Sequence, residues 1–204
     1  MRVAGSMHDP GEESTHSNAL WNCATFVAQN HCSLAQDKNL EGRVRKEMKI
    51  SNTIAELERL LGGVSQRHCK LILLVGEAIA FRTETLKALS QRSGTCSISV
   101  GSALGQKLAE LPLHSRPLQV GAALRALCEQ CSPGQNLILN KIEILFDASL
   151  QLNVLELLKR QALSCCVISA WPGAWQGGRL HYAEFGHPEY RDYVVDGVVI
   201  HEIK

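Results

Sequence analysis

The sequence predicts an α/β domain built on a parallel sheet with helices on both faces. Three observations carry that prediction. Short apolar runs stand at 71–75 (Leu-Ile-Leu-Leu-Val), 136–140 (Asn-Leu-Ile-Leu-Asn) and 165–170, and strands without polar alternation are buried on both sides. Segments of helical period separate them. Strands that alternate with helices form βαβ units, whose crossovers place helices on both faces of a parallel sheet.

The elements follow in chain order. Ile50, Ile54, Leu57, Leu60, Leu61 and Val64 recur at helical spacing and predict an amphipathic helix over 50–64, ended by Gly62-Gly63. The first strand, 71–75, is closed by Gly76. A helix over 83–91 turns Leu86 and Leu89 inward, and 96–100 (Cys-Ser-Ile-Ser-Val) suits a second strand. Helices over 102–111 and 117–130 follow, then a turn at Pro133-Gly134 and the strand at 136–140. A helix over 149–162 carries Leu150, Leu152, Val154, Leu155, Leu157 and Leu158, and the fourth strand is 165–170. Trp171-Pro172-Gly173 and Gly177-Gly178 then punctuate the chain, and 179–184 and 191–201 read as strands. The connection after the fourth strand is too short for a parallel crossover, which predicts a hairpin-like antiparallel addition.

Residues 1–47 differ in style. They are rich in His, Asn, Ser and Glu, and Leu20, Trp21, Phe26 and Val27 show no sustained period beyond a short helix around 18–30. Two readings stand: a flexible extension, or a segment that is not native, with Met48 as the true start. The domain proper is 48–204. Its length suits a single domain. The chain of 204 residues carries 21 Lys plus Arg against 20 Asp plus Glu, a net charge of +1, which argues against a strongly basic nucleic-acid binder though not against a local basic patch. No apolar run reaches the ~18 residues of a membrane span, and the N-terminus lacks the apolar core of a signal peptide. The eight cysteines read as reduced thiols of a cytoplasmic protein.

The turn after the first strand carries the site question. A phosphate-binding loop is a strand, then G-x-x-x-x-G-K-[ST], then a helix. Here the segment is Gly76-Glu77-Ala78-Ile79-Ala80-Phe81-Arg82-Thr83, followed by Glu84. Strand, helix, Gly76 and Thr83 fit. Arg82 replaces the lysine, and Phe81 stands where a second glycine would let the backbone approach phosphate. Thr83 would take the Mg²⁺ role. The acidic partner belongs at the end of another strand, but that position is Asn140, which supplies no charge. Asn140 or Glu143 would then lie near the metal, and Ser169 stands where a residue sensing the γ-phosphate would be.

The segments Asn140–Asp147 (Asn-Lys-Ile-Glu-Ile-Leu-Phe-Asp), Leu155–Lys159, Ala170-Trp-Pro-Gly173, Ser115–Gln119 and Tyr182–Tyr190 (Tyr-Ala-Glu-Phe-Gly-His-Pro-Glu-Tyr) resemble the BrxF family, the small P-loop proteins of type 3 BREX phage-defence systems. The resemblance spans about Met48 to Ile203. It implies a P-loop NTPase-like core with strand order 5-1-4-3-2, ATP and Mg²⁺ as cofactors, and other BREX defence proteins or further copies of the chain as partners; with a net charge of only +1, DNA would be reached only through those partners. The family pattern has an intact phosphate loop and an Asp at the third strand, where this chain has Phe81, Arg82 and Asn140. Two functions follow: a nucleotide-binding, ATPase-like accessory component, or a pseudo-NTPase scaffold of the same complex.

Other constellations point less far. Cys128-x-x-Cys131 has metal or redox spacing, but the second pair, Cys165-Cys166, alternates across a strand and does not complete a four-ligand zinc site. His187-Pro188-Glu189-Tyr190 offers an acid/base pair or a turn that packs Tyr182 and Tyr190. Trp171 and Trp175 could stack a base or cover the end of the sheet.

Overall fold

A computed structural model describes residues 17–76, 78–131 and 136–203, with side chains from residue 40 onward. The chain divides into two units, Met1–Lys49 and Ile50–Lys204. In the first, the described residues from Ser17 on are helical, as part of α1 (Ser17–Val64). The helix expected over 50–64 and the short one around 18–30 are thus segments of one element.

In the second unit, α1 ends at Val64, as expected for the helix over 50–64, and takes Gly62 and Gly63 into its last turn. Ile50, Ile54, Leu57 and Val64 on its inner face are buried, and this packing outweighs the weak helical preference of glycine. After β1 (Leu71–Gly76) comes α2 (Ile79–Ser93), which stops at Gly94 in the left-handed conformation. β2 (Cys96–Ser99), α3 (Val100–Ala109) and α4 (Arg116–Cys128) lead to β3 (Leu137–Asn140). The turn expected at Pro133-Gly134 lies outside the described residues.

The helix expected from 149 begins later, as α5 (Val154–Gln161). Asp147 accepts the Ser149 amide and closes a 3-10 turn over Ala148–Leu150. Asn153 accepts the Glu156 amide at 3.1 Å and caps α5. Side-chain capping, invisible to apolar spacing, sets the boundary.

β4 (Val167–Ala170) completes the central strands. The hairpin-like antiparallel addition expected after β4 is present, while the last expected strand differs. The segment after β4 forms a separate antiparallel sheet of β5 (Ala174–Gln176), β6 (Arg179–Tyr182) and β7 (Arg191–Val194). The strand expected at 191–201 is broken at Gly197, which has a φ of +70°, and its remainder joins β8 (Val199–Ile203). β8 pairs parallel to β1, in the register Ile72↔Val199 to Gly76↔Ile203. The whole small sheet serves as the crossover, so length no longer forbids a parallel return.

The main sheet runs β2-β3-β4-β1-β8, with every pairing parallel. Leu71, Leu73 and Val75 face the cluster of α3, α4 and α5; Ile72 and Leu74 face α1 and α2. β1 is buried from Leu71 to Val75 because it lies inside the sheet and under helices on both sides.

Candidate functional site

The carboxyl ends of β1, β2, β3 and β4 gather the residues singled out by sequence. Gly76 ends β1 with a φ of +78°, and a Cβ there would lie 2.3 Å from the Ile203 carbonyl oxygen of β8. The close approach of β8 therefore requires the glycine. Glu77 lies outside the described residues. Ala78 is the N-cap of α2 in extended conformation, without a side-chain cap, and Ile79 and Ala80 are exposed in its first turn.

The next two residues are spent on the fold. Phe81 is 9% exposed and belongs to the cluster beneath α1 and α2. Arg82 is 4% exposed and donates from Nη1 to the carbonyl of Trp171, just beyond β4; its Nε has no partner. Burial lowers the Arg82 pKa from its ordinary value, with Glu143 opposing through its charge. Thr85 closes the turn by donating to the Phe81 carbonyl at 2.9 Å.

Ser169 is fully buried and donates to the Leu139 carbonyl at 2.8 Å. Its hydroxyl thus ties β4 to β3. Asn140 is 8% exposed; Nδ2 donates to Ser97 Oγ at 3.0 Å, while Oδ1 has no partner. Thr83 and Asn140 line one cavity together with Lys87, Ser97, Ser99 and Lys141. Thr83, Glu84 and Glu143 line an adjoining depression with Ile79, Ala80, Lys87 and Lys141. The fold thus brings Thr83, Glu84, Asn140 and Glu143 into one region and leaves Arg82 and Ser169 in the core.

Sequence reasoning passed over Lys87, Ser97, Ser99 and Lys141. A signal existed: Thr83 and Lys87 are four apart on α2, and Ser97 and Ser99 share a face of β2. Their register opposite Ile138 and Asn140 puts both serines on the α2 side of the sheet.

The lining of this cavity offers a threonine hydroxyl, serines, the amides of Gln91 and Asn140 and two lysines, with no carboxylate. Mg²⁺ sites are built on carboxylates and substrate phosphates, and the carboxylates beside Thr83, those of Glu84 and Glu143, line the adjoining depression.

The cysteines differ from the sequence reading. Cys96 and Cys131 form a disulfide, with Cα atoms 6.0 Å apart. Cys131 follows α4 and precedes β3, the neighbour of β2, so its partner opens the adjacent strand. Cys69, Cys128, Cys165 and Cys166 are free. No group of three or more His, Cys, Asp or Glu placed to hold a metal occurs among the described residues.

Trp171 is fully buried, donates Nε1–H to the His181 carbonyl at 2.9 Å, and meets Phe146 and Tyr193 edge-on. It joins the small sheet to the core. Trp175 is half-buried against the same cluster. His187 accepts the Glu189 amide at Nδ1 (3.1 Å), and Tyr190 OH lies 3.4 Å from His181 Nδ1. The His-Pro-Glu-Tyr segment is therefore a self-bonded turn, with Tyr182 and Tyr190 half-buried. Phe185 projects from the same loop and is 91% exposed. No helix among the described residues is long and apolar enough to cross a membrane.

No protein-family model matches the chain, and no curated protein matches it either.

Proposed function

We propose that the Ile50–Lys204 unit is a P-loop-derived domain that serves as a protein-binding scaffold in a type 3 BREX-like phage-defence complex. In this reading it does not hydrolyse nucleotide. One observation carries it. α2 begins at Ile79, three residues beyond Gly76 at the end of β1, so from Ile79 on the stretch that would wrap around phosphates is already helix. Phe81 and Arg82 then point into the core rather than toward a ligand. The sheet order β8-β1-β4-β3-β2 and the Asn140–Asp147 and Tyr182–Tyr190 segments support the family relation.

A nucleotide-binding reading draws on the meeting of Thr83 and Asn140 at one cavity. It lacks both the wrapped loop and an acid at the end of β3. Calorimetric titration with MgATP, followed by a phosphate-release assay, separates the two. The scaffold gives no heat of binding at millimolar MgATP and no release, and it co-purifies with the large proteins of its defence complex when co-expressed. Binding with turnover, or failure to co-purify, overturns the proposal.

A further inference from the structure

β2 is the last strand on its side of the sheet. Its Ser97–Ser99 face lies under α2 with no further strand beyond it, and the space between them is a cavity of about 400 Å³. Ligand pockets commonly span roughly 300–1,000 Å³. We propose that this cavity binds a small organic anion: a molecule with a phosphate or carboxylate group and, elsewhere on it, an N–H or O–H donor.

The charge of the lining selects the anion. Lys87 and Lys141 both line the cavity, and no acidic side chain does. Glu84 and Glu143 belong to the adjoining depression. The hydroxyls of Thr83, Ser97 and Ser99 add donors suited to anionic oxygens.

The buried amide selects the second feature. Asn140 is spent on Ser97 through Nδ2, but Oδ1 is a buried acceptor with no partner. Buried polar atoms are almost always hydrogen-bonded, and a ligand donor is what would satisfy this one. Cation binding would not: a metal at Oδ1 would share the cavity with two lysines.

The arrangement is also built, not incidental. Lys141 adopts a left-handed conformation, with a φ of +53°, directly after Asn140 at the end of β3. A non-glycine residue in that region is uncommon, and such strained positions cluster at ligand-binding sites. This inference stands apart from the scaffold reading, since it concerns β2, β3 and the Thr83–Lys87 face of α2 rather than the β1–α2 turn.

The test uses the full chain with three probes: inorganic phosphate, ribose 5-phosphate and malate, read by thermal shift and calorimetry. Ribose 5-phosphate or malate is expected to bind, and which of the two binds tells phosphate from carboxylate. Inorganic phosphate reads the anionic group alone. Lys87→Ala/Lys141→Ala, at two exposed positions that leave the core untouched, is expected to weaken binding roughly tenfold or more. Asn140→Asp should act in the same direction through like-charge repulsion. If no probe binds, or the double-lysine variant binds as well as the parent, the proposal fails. Ala78→Glu keeps the two readings apart. It places a carboxylate at the β1–α2 turn and should leave cavity binding unchanged. A probe that loses affinity in Ala78→Glu but not in the lysine variant occupies the turn instead, which overturns this site and counts against the sealed turn of the scaffold reading.

Discussion

The two ends of the parallel sheet have been put to different uses. At the carboxyl end, β1 stops at Gly76, β2 at Ser99 and β3 at Asn140, and the side chains there are hydroxyls, an amide and lysines around a cavity. At the amino end stand the sulfurs. Cys69 precedes β1, Cys96 opens β2, Cys131 precedes β3, and Cys165 and Cys166 precede β4. One end holds a buried amide oxygen, Asn140 Oδ1, with no partner; the other holds a disulfide and thiols whose burial raises their pKa values, Cys128 and Cys166 to about 11. Such thiols are weak nucleophiles, so the amino end reads as structural. Chemistry that needs a ligand belongs at the opposite end, where parallel sheets place their binding crevices.

That contrast can be broken, and the largest effect should come at Gly76. Gly76→Val puts a side chain against the Ile203 carbonyl at a positive φ, and should cost about 4 kcal/mol or leave no folded protein. Urea denaturation measures it; a loss below about 1 kcal/mol would show that β8 does not press on the turn as described. At the amino end, Cys96→Ser removes a cross-link spanning a separation of 35 residues and should cost about 3 kcal/mol. A stability unaffected by both that variant and reductant would mean that the disulfide contributes nothing in solution.

Arg82→Ala should cost about 2 kcal/mol, because the Trp171 carbonyl loses its donor and the space around the guanidinium is left unfilled. Arg82→Lys sharpens the point. Were the turn a working phosphate loop, lysine would improve MgATP binding; in the fold described here it destabilises the domain and gains no affinity, which calorimetry would decide. The smallest effect is alkaline. Cys128 and Cys166 keep their protons in the folded state up to about 11, while an unfolded thiol loses its proton near 9. Between those values the folded state binds more protons, so stability should fall as pH rises through this window. A denaturation midpoint that holds or increases over that range would contradict the buried placement of these thiols.

Much of the central fold was legible. The runs at 71–75 and 136–140 mark β1 and β3 because an interior parallel strand must be apolar on both faces, and Leu-Ile-Leu leaves no other use. The cavity was half legible. Thr83 and Asn140 were found through the comparison with a phosphate loop, whereas Lys87, Ser97 and Ser99 were missed because a single lysine or serine carries no spacing signal until a neighbouring element faces it. The antiparallel C-terminal addition was legible from the short connection after β4, whereas the division of 191–201 into β7 and β8 was not, because the pairing of β8 with β1 joins segments far apart along the chain.

The sequence by itself determined which segments enter the core and that they alternate in type, since burial on two faces demands continuous apolar side chains and helix packing demands a period near four. Only the tertiary structure decided what the turn residues do. Gly76, Phe81 and Arg82 read in one dimension as a worn phosphate loop. In three dimensions Gly76 yields space to Ile203, Phe81 fills the core under α1, and Arg82 holds the Trp171 carbonyl. Those partners lie far along the chain, and no local pattern encodes a contact whose other half is a backbone carbonyl brought near by folding.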